Sequence, residues 1–530
     1  MKLRKIIILV TLINVLILNR FFGENIDDKL LEEYKNILMF GIADKRAEVL
    51  RKIGDYKGDN KKFYSLIEYV IENDTNTIVL REALNLVEKF KISEVGDKVA
   101  KILEETKENQ IKVASLRALG SINYNKVSNK VLELLDEKDP NIKRAVLFFI
   151  GETKDKKGLD SIYKILENMD EKEDVLQEAI ATLGKIGDKN SIEKLKDILE
   201  NPGYSKYVRM YAPISLAQIG GKEVVDIIKK ATEDSEYVIR IRAIYSLSLL
   251  EGVDINIFSK QIENALKDSD VNVRLTALDV VKNLNAISFV PFLKYLISND
   301  PELKVRDKAL KVYAKIEKEK DVIETIQEMV DKKDFYSKIL ALDTMKEVGV
   351  EKFISFLKKT FIEKTTYDIR DKILRVAAEK IENESVFEFI QEIALNKNIP
   401  GYYDAINKIR YNAMLTLTKA GWQKSFPTLS RIAEDNNDPI NTFAIKLIIN
   451  LNRDAAKNYF IEKLNNISLY NYKIRYEIIK AIGDLKPEGI EDKLKAIYIT
   501  EKDAGMKIVI GKVLSLYGID PKTLDEKQIK

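Results

Sequence analysis

Apolar residues return along this chain in two alternating stripes. Between Asn256 and Leu284, Phe258, Ile262, Ala265 and Leu266 lie on one face of a helix. The polar stretch 267–270 (KDSD) is rich in capping residues and turns the chain. Ala277, Leu278, Val281 and Leu284 then supply the apolar face of a second helix. The next unit repeats the scheme with Val290, Leu293, Leu296 and Ile297, then Val305, Ala309, Val312 and Ile316. Neither helix can bury its stripe alone. The pattern therefore predicts stacked helix pairs around one continuous core, each buried Leu or Ile contributing roughly 1.5–3 kcal/mol.

A basic residue opens the second helix of most units. It stands at Arg46, Arg81, Lys112, Lys143, Arg209, Arg240, Arg274, Arg306, Lys338, Arg370, Arg410, Arg475 and Lys507, with Leu176 and Thr442 in the two vacant slots. The intervals are 31–35 residues except for 40 between Arg370 and Arg410. This rhythm predicts about fifteen two-helix repeats. Gly54, Gly120, Gly151, Gly187, Gly220 and Gly483, near repeat ends, are expected as helix C-caps. Pro291 and Pro427 are expected near the starts of first helices, where a missing amide hydrogen costs nothing.

The segments 268–284 (DSDVNVRLTALDVVKNL), 299–316 (NDPELKVRDKALKVYAKI), 234–250 (DSEYVIRIRAIYSLSLL) and 112–122 (KVASLRALGSI) resemble HEAT repeats. The likeness is to the short bacterial kind also found in phycobilisome lyase-like proteins, and covers roughly residues 26–518. It implies an all-α superhelix, a solenoid of HEAT-like repeats. It also implies a structural ladder in which an Asp of the turn and an Arg of the second helix bond along the stack. Asp234/Arg240, Asp270/Arg274, Asp300/Arg306 and Asp368/Arg370 would play those parts. One such fold hosts many roles.

Composition then removes chemistry. The chain has no Cys and no His, which excludes disulfides, thiol nucleophiles, thiolate zinc sites, the Ser–His–Asp triad and imidazole ligands. No Gly-rich nucleotide loop and no EF-hand spacing is present, so neither cofactor nor metal is expected. Among HEAT-like enzymes the resemblance brings to mind, a di-iron hydroxylase would need His, and a DNA glycosylase would need a basic surface. A phycobilin lyase or cofactor chaperone is the alternative least excluded.

The N-terminus reads as a secretion signal: Lys2, Arg4 and Lys5, then an apolar run from Ile6 to Leu18, with Gly23 as the last residue before cleavage. The domain plan is residues 1–23 as signal peptide, 24–518 as solenoid and 519–530 as polar tail. An uncleaved membrane anchor is the other reading of the same segment. The whole chain is +4, from 88 basic and 84 acidic residues. Residues 1–23 carry four bases and no acid, so the remainder is neutral and nucleic acid is not an expected partner. Departures from the repeat point to a binding edge. Tyr402 and Tyr403 lie in the enlarged repeat, Trp422 follows it, and Tyr204, Tyr207 and Tyr211 flank a smaller insertion. The same rings would also serve as turn padding or core. The expectation is a non-enzymatic scaffold in a bacterial periplasm or cell envelope, binding a protein or extended peptide. A structural subunit of an envelope machine is a related alternative.

Overall fold

The computed structural model describes residues 28–332, 334–363 and 366–524. The expected signal segment and the end of the polar tail lie outside the described residues. These contain no strand and fifteen consecutive helix pairs, from Asp28–Phe40 with Ala43–Asp55 to Glu491–Thr500 with Ala504–Leu516. The chain divides into two compact units, the first ending at Phe292 and the second beginning at Leu293. Each unit is an α-solenoid with two layers, one of first helices and one of second helices. The stripes behave as the periodicity requires: Ile262, Ala265 and Leu266 are buried beneath Ala277, Leu278 and Val281.

Second helices pack especially closely in the first unit, and small residues permit it. A Cβ on Gly120 would lie 3.0 Å from Cα of Phe149, and one on Gly184 would lie 2.7 Å from Cα of Ser215. Hydroxyls bridge the same layer: Thr182 donates to the carbonyl of Leu147 at 3.0 Å, and Ser215 to that of Ile180 at 2.9 Å. Accordingly, Gly54, Gly120, Gly151 and Gly483 lie inside their helices and not at C-caps. Gly187 and Gly220 do end helices, each at φ 72°. Elsewhere Lys91, Lys154 and Lys486 take the left-handed cap.

Prolines mark two further departures. Pro291 sits in the first turn of Val290–Asn299, but Pro427 is the sixth residue of Trp422–Ala433 and removes one backbone bond there. Gly421, at φ 84°, caps that helix six residues before the proline. Pro213 breaks a second helix into Lys206–Arg209 and Ala212–Ile219, because it cannot donate to the carbonyl of Arg209.

Candidate functional site

The basic residues of the repeat join successive helix pairs. Arg46 grips Asp74 at 2.7 and 3.0 Å, and Arg240 grips Asp268 at 2.8 Å through both nitrogens. Arg209 reaches Asp234 at 2.6 Å, Arg306 reaches Asp334 at 3.1 Å, and Arg475 pairs with Glu501. Lys112 and Lys143 take Glu137 and Glu171. Arg410 and Asp438 form the most enclosed pair, with side chains 1% and 2% exposed and contacts of 3.0 and 2.5 Å. Several of these bases also bond an otherwise unpaired carbonyl at the end of their own first helix: Arg209 to Leu199, Arg306 to Ile297, Arg410 to Ala394. One guanidinium thus ties the two helices of a pair to the turn of the next.

In several steps the acid stands two residues before the N-cap of the following second helix and also accepts the N-cap amide, whereas Asp334 is itself the N-cap and Glu171 precedes its N-cap Lys172 by one residue. Asp268 takes the amide of Asp270 at 2.8 Å, Asp234 that of Glu236 at 2.9 Å, and Asp438 that of Ile440 at 3.1 Å. Buried Asp300 holds the same register, accepting from the amide of Glu302. The acid that Arg240 grips is therefore Asp268, whereas Asp234 offers Arg240 only its backbone carbonyl. Asp270 is an N-cap, accepting from the amides of Asn272 and Val273, while Arg274 donates to the carbonyls of Asp268 and Ser269. Asp368 is exposed in the first turn of Tyr367–Ala378 and occupies no ladder register. Where the base is missing the acid is missing too. Leu176 corresponds to Gly203 at the acid register, and Thr442 to Leu469.

The aromatic candidates separate. Tyr402 and Tyr403 are 90% and 69% exposed at the start of Tyr403–Leu417. Trp422 begins the next helix, at the opposite end of Tyr403–Leu417, and stacks on Phe426 at 4.5 Å. Phe426 in turn meets Tyr459 edge-on at 5.2 Å, so Trp422 belongs to a packing cluster. Tyr204 is buried and donates its phenol to the carbonyl of Leu166. Tyr207 is half exposed and Tyr211 half buried.

Sequence reading missed the row to which Tyr403 belongs. In the second unit the first residue of the second helix is Leu303, Phe335, Tyr367, Tyr403 or Tyr472 in five of the six pairs from Leu303–Ile316 to Tyr472–Leu485. In the sixth, Phe443 stands two residues further in. All but half-buried Tyr367 are at least 44% exposed, and Tyr336 adds a ring to the row. Tyr367, Phe335, Leu303 and Tyr472 each lie three residues before a ladder base, so the register was present in the sequence. Tyr403 is displaced because the enlarged repeat starts its helix one turn earlier. Charges beside the row are of both signs, with Lys304, Lys408 and Lys473 near Glu302, Asp368 and Asp404.

Two hollows flank these features. A cleft of about 1060 Å³ in the first unit lies where Ala212–Ile219 ends early, with Leu249, Leu250 and Ile257 lining it beside Lys154, Lys222 and Glu251. A groove of about 670 Å³ in the second unit lies between Tyr367–Ala378 and Tyr403–Leu417. Among the described residues no group of three or more acidic side chains could hold a metal ion, and no helix is long and apolar enough to cross a membrane.

Residues 128–205 match the family model for HEAT repeats. That stretch is a HEAT-repeat segment, and the helix pairs on either side continue its plan. No curated protein matches it in sequence. Among solved structures it is similar to a chain from the complex of Kap95p with RanGDP, at 11% identity and TM-score 0.42, covering 93% of this chain and 79% of that one. It is similar to importin beta at 10% identity and TM-score 0.36, covering 91% and 72%, and to a chain of the AP-3 complex at 13% and 0.40, covering 84% and 96%.

Electrostatics of a few carboxylates and phenols set the response to pH. The hydroxyl of Ser337, its amide and Arg306 lower Asp334 to about 2. Burial raises Tyr517 to about 12 and pushes Tyr459 upward as well. The Asp334 contribution is present above the ordinary carboxylate range and is lost as pH falls through about 2. The tyrosine contributions are present below the ordinary phenol value and are lost as pH rises through about 12 for Tyr517. With no His or Cys, no side chain titrates ordinarily in between. The thermal midpoint is expected to be level from about pH 5.5 to 9 and to fall above about pH 10. A calorimetric pH series checks this.

Proposed function

We propose that this chain is a non-enzymatic interaction scaffold, exported to the envelope or periplasm of a bacterium, that binds an extended protein segment. The observation that carries the reading is the row Leu303, Phe335, half-buried Tyr367, Tyr403, Phe443 and Tyr472 on six successive helix pairs, all but Tyr367 exposed. Helices in contact are spaced about 8–10 Å, and an extended chain advances about 10 Å in three residues. A peptide with an apolar side chain at every third position therefore matches the row. Large rings with low rotamer entropy are effective anchors, and mixed flanking charge suits a polypeptide better than a polyanion. Export rests on the charged and apolar residues 2–18.

The test is affinity capture from chemically cross-linked cells, separated into envelope and cytosol, with mass spectrometry of what is retained. One protein recovered reproducibly from the envelope fraction supports the reading. Recovery only from cytosol removes the envelope assignment. The cleft of about 1060 Å³ favours a second reading, a lyase-like or chaperone-like protein acting on a small cofactor or client. A bound pigment or small molecule, with no protein partner, would replace the scaffold reading by that one.

A further inference from the structure

We infer that the step between the eleventh and twelfth helix pairs, where Arg370 lacks a carboxylate partner, is a compliant joint in the second unit. Arg370 is 3% exposed and donates to three backbone carbonyls: Phe361 and Glu363 of its own pair, and Pro400 of the next. Pro400 stands two residues before the N-cap Tyr402, the register held by Asp268 and Asp438 in clamped steps. The loop thus presents a neutral carbonyl where the following step presents Asp438, a charged, two-pronged acceptor. A neutral carbonyl is roughly half as strong an acceptor as a carboxylate and fixes orientation less well. Burial correspondingly holds the guanidinium below its usual range.

A second observation falls on the same step. The groove of about 670 Å³ runs between Tyr367–Ala378 and Tyr403–Leu417, the two second helices that the missing ion pair would draw together. On the other side of Tyr367–Ala378, Lys338 bonds the carbonyl of Val330 in its own pair. By contrast Asn441–Leu451 is held by the Arg410–Asp438 pair. The joint is a property of the free chain and stands whether or not a partner binds the aromatic row.

Hydrogen exchange of the full chain, read as protection factors by mass spectrometry, tests it. Amides of Tyr367–Ala378 are expected to be roughly tenfold less protected than those of Asn441–Leu451. Equal protection would overturn the proposal. Pro400→Asp places a carboxylate at the ladder register and is expected to raise protection in Tyr367–Ala378 severalfold. Because that variant could distort the loop, Asp438→Asn supplies an independent reading. It is expected to lower protection of Asn441–Leu451 to the level of Tyr367–Ala378, and unchanged protection would show that the ion pair does not stiffen a step.

Discussion

Asp438→Ala should destabilise the second unit by about 3–5 kcal/mol, read from urea unfolding followed by circular dichroism. The reason lies in what is left behind. Arg410 and Asp438 are 1% and 2% exposed, so removing the carboxylate strands a guanidinium that water cannot reach. The backbone suffers too, since Asp438 also accepts from the N-cap amide of Ile440. Most of the cost is thus the stranded charge and not the value of the pair. Replacing both partners by apolar residues of similar volume, Arg410→Met with Asp438→Leu, should recover most of the loss. At Arg240 and Asp268, 14% and 13% exposed, water reaches the survivor and Asp268→Ala should cost less. Equal losses at the two steps would show that burial does not govern the ladder.

The second large effect concerns the aromatic row. Once a partner is in hand, Tyr402→Ala/Tyr403→Ala is expected to weaken binding by about 2 kcal/mol, roughly 30-fold. Phe335→Ala/Tyr336→Ala, on a neighbouring part of the row, should weaken it comparably. Both pairs are well exposed, so unfolding midpoints should barely move. Trp422→Ala is the contrasting control: it removes the stacked contact with Phe426 and should lower stability while leaving affinity unchanged. Titration calorimetry of the three variants separates the cases. Undiminished affinity in both Tyr and Phe variants would move the interface off the row. Loss in Trp422→Ala alone would place it at the packing cluster instead.

The candidate residues show how far one-dimensional reading reaches. Tyr402 and Tyr403 stood out because they interrupt a rhythm, and they are indeed exposed. Trp422 and Tyr204 stood out for the same reason and prove to be packed, the latter with its phenol on the Leu166 carbonyl. An interruption signals where the chain departs from its neighbours but does not say which way a side chain turns. Leu303, Phe335 and Tyr472 interrupt nothing. They become a row only when helices more than thirty residues apart in sequence lie side by side.

What the amino-acid sequence determined alone is the helix pair and its repetition. A stripe at 3.6-residue spacing, a capping turn and a basic residue recurring at mostly 31–35 positions are local or nearly periodic signals, and fifteen pairs follow from them. What only the tertiary structure decided is which residue each basic side chain meets, which glycines sit at close helix contacts, and which rings face solvent. Arg240 could have been assigned to Asp234 or Asp268, both acids near its own repeat boundary. The packed helices choose Asp268, 28 residues on, because it lies within 2.8 Å once the next pair is stacked. Turn lengths vary from step to step while the spacing between stacked helices varies little, so contacts keep their register in space and lose it along the chain.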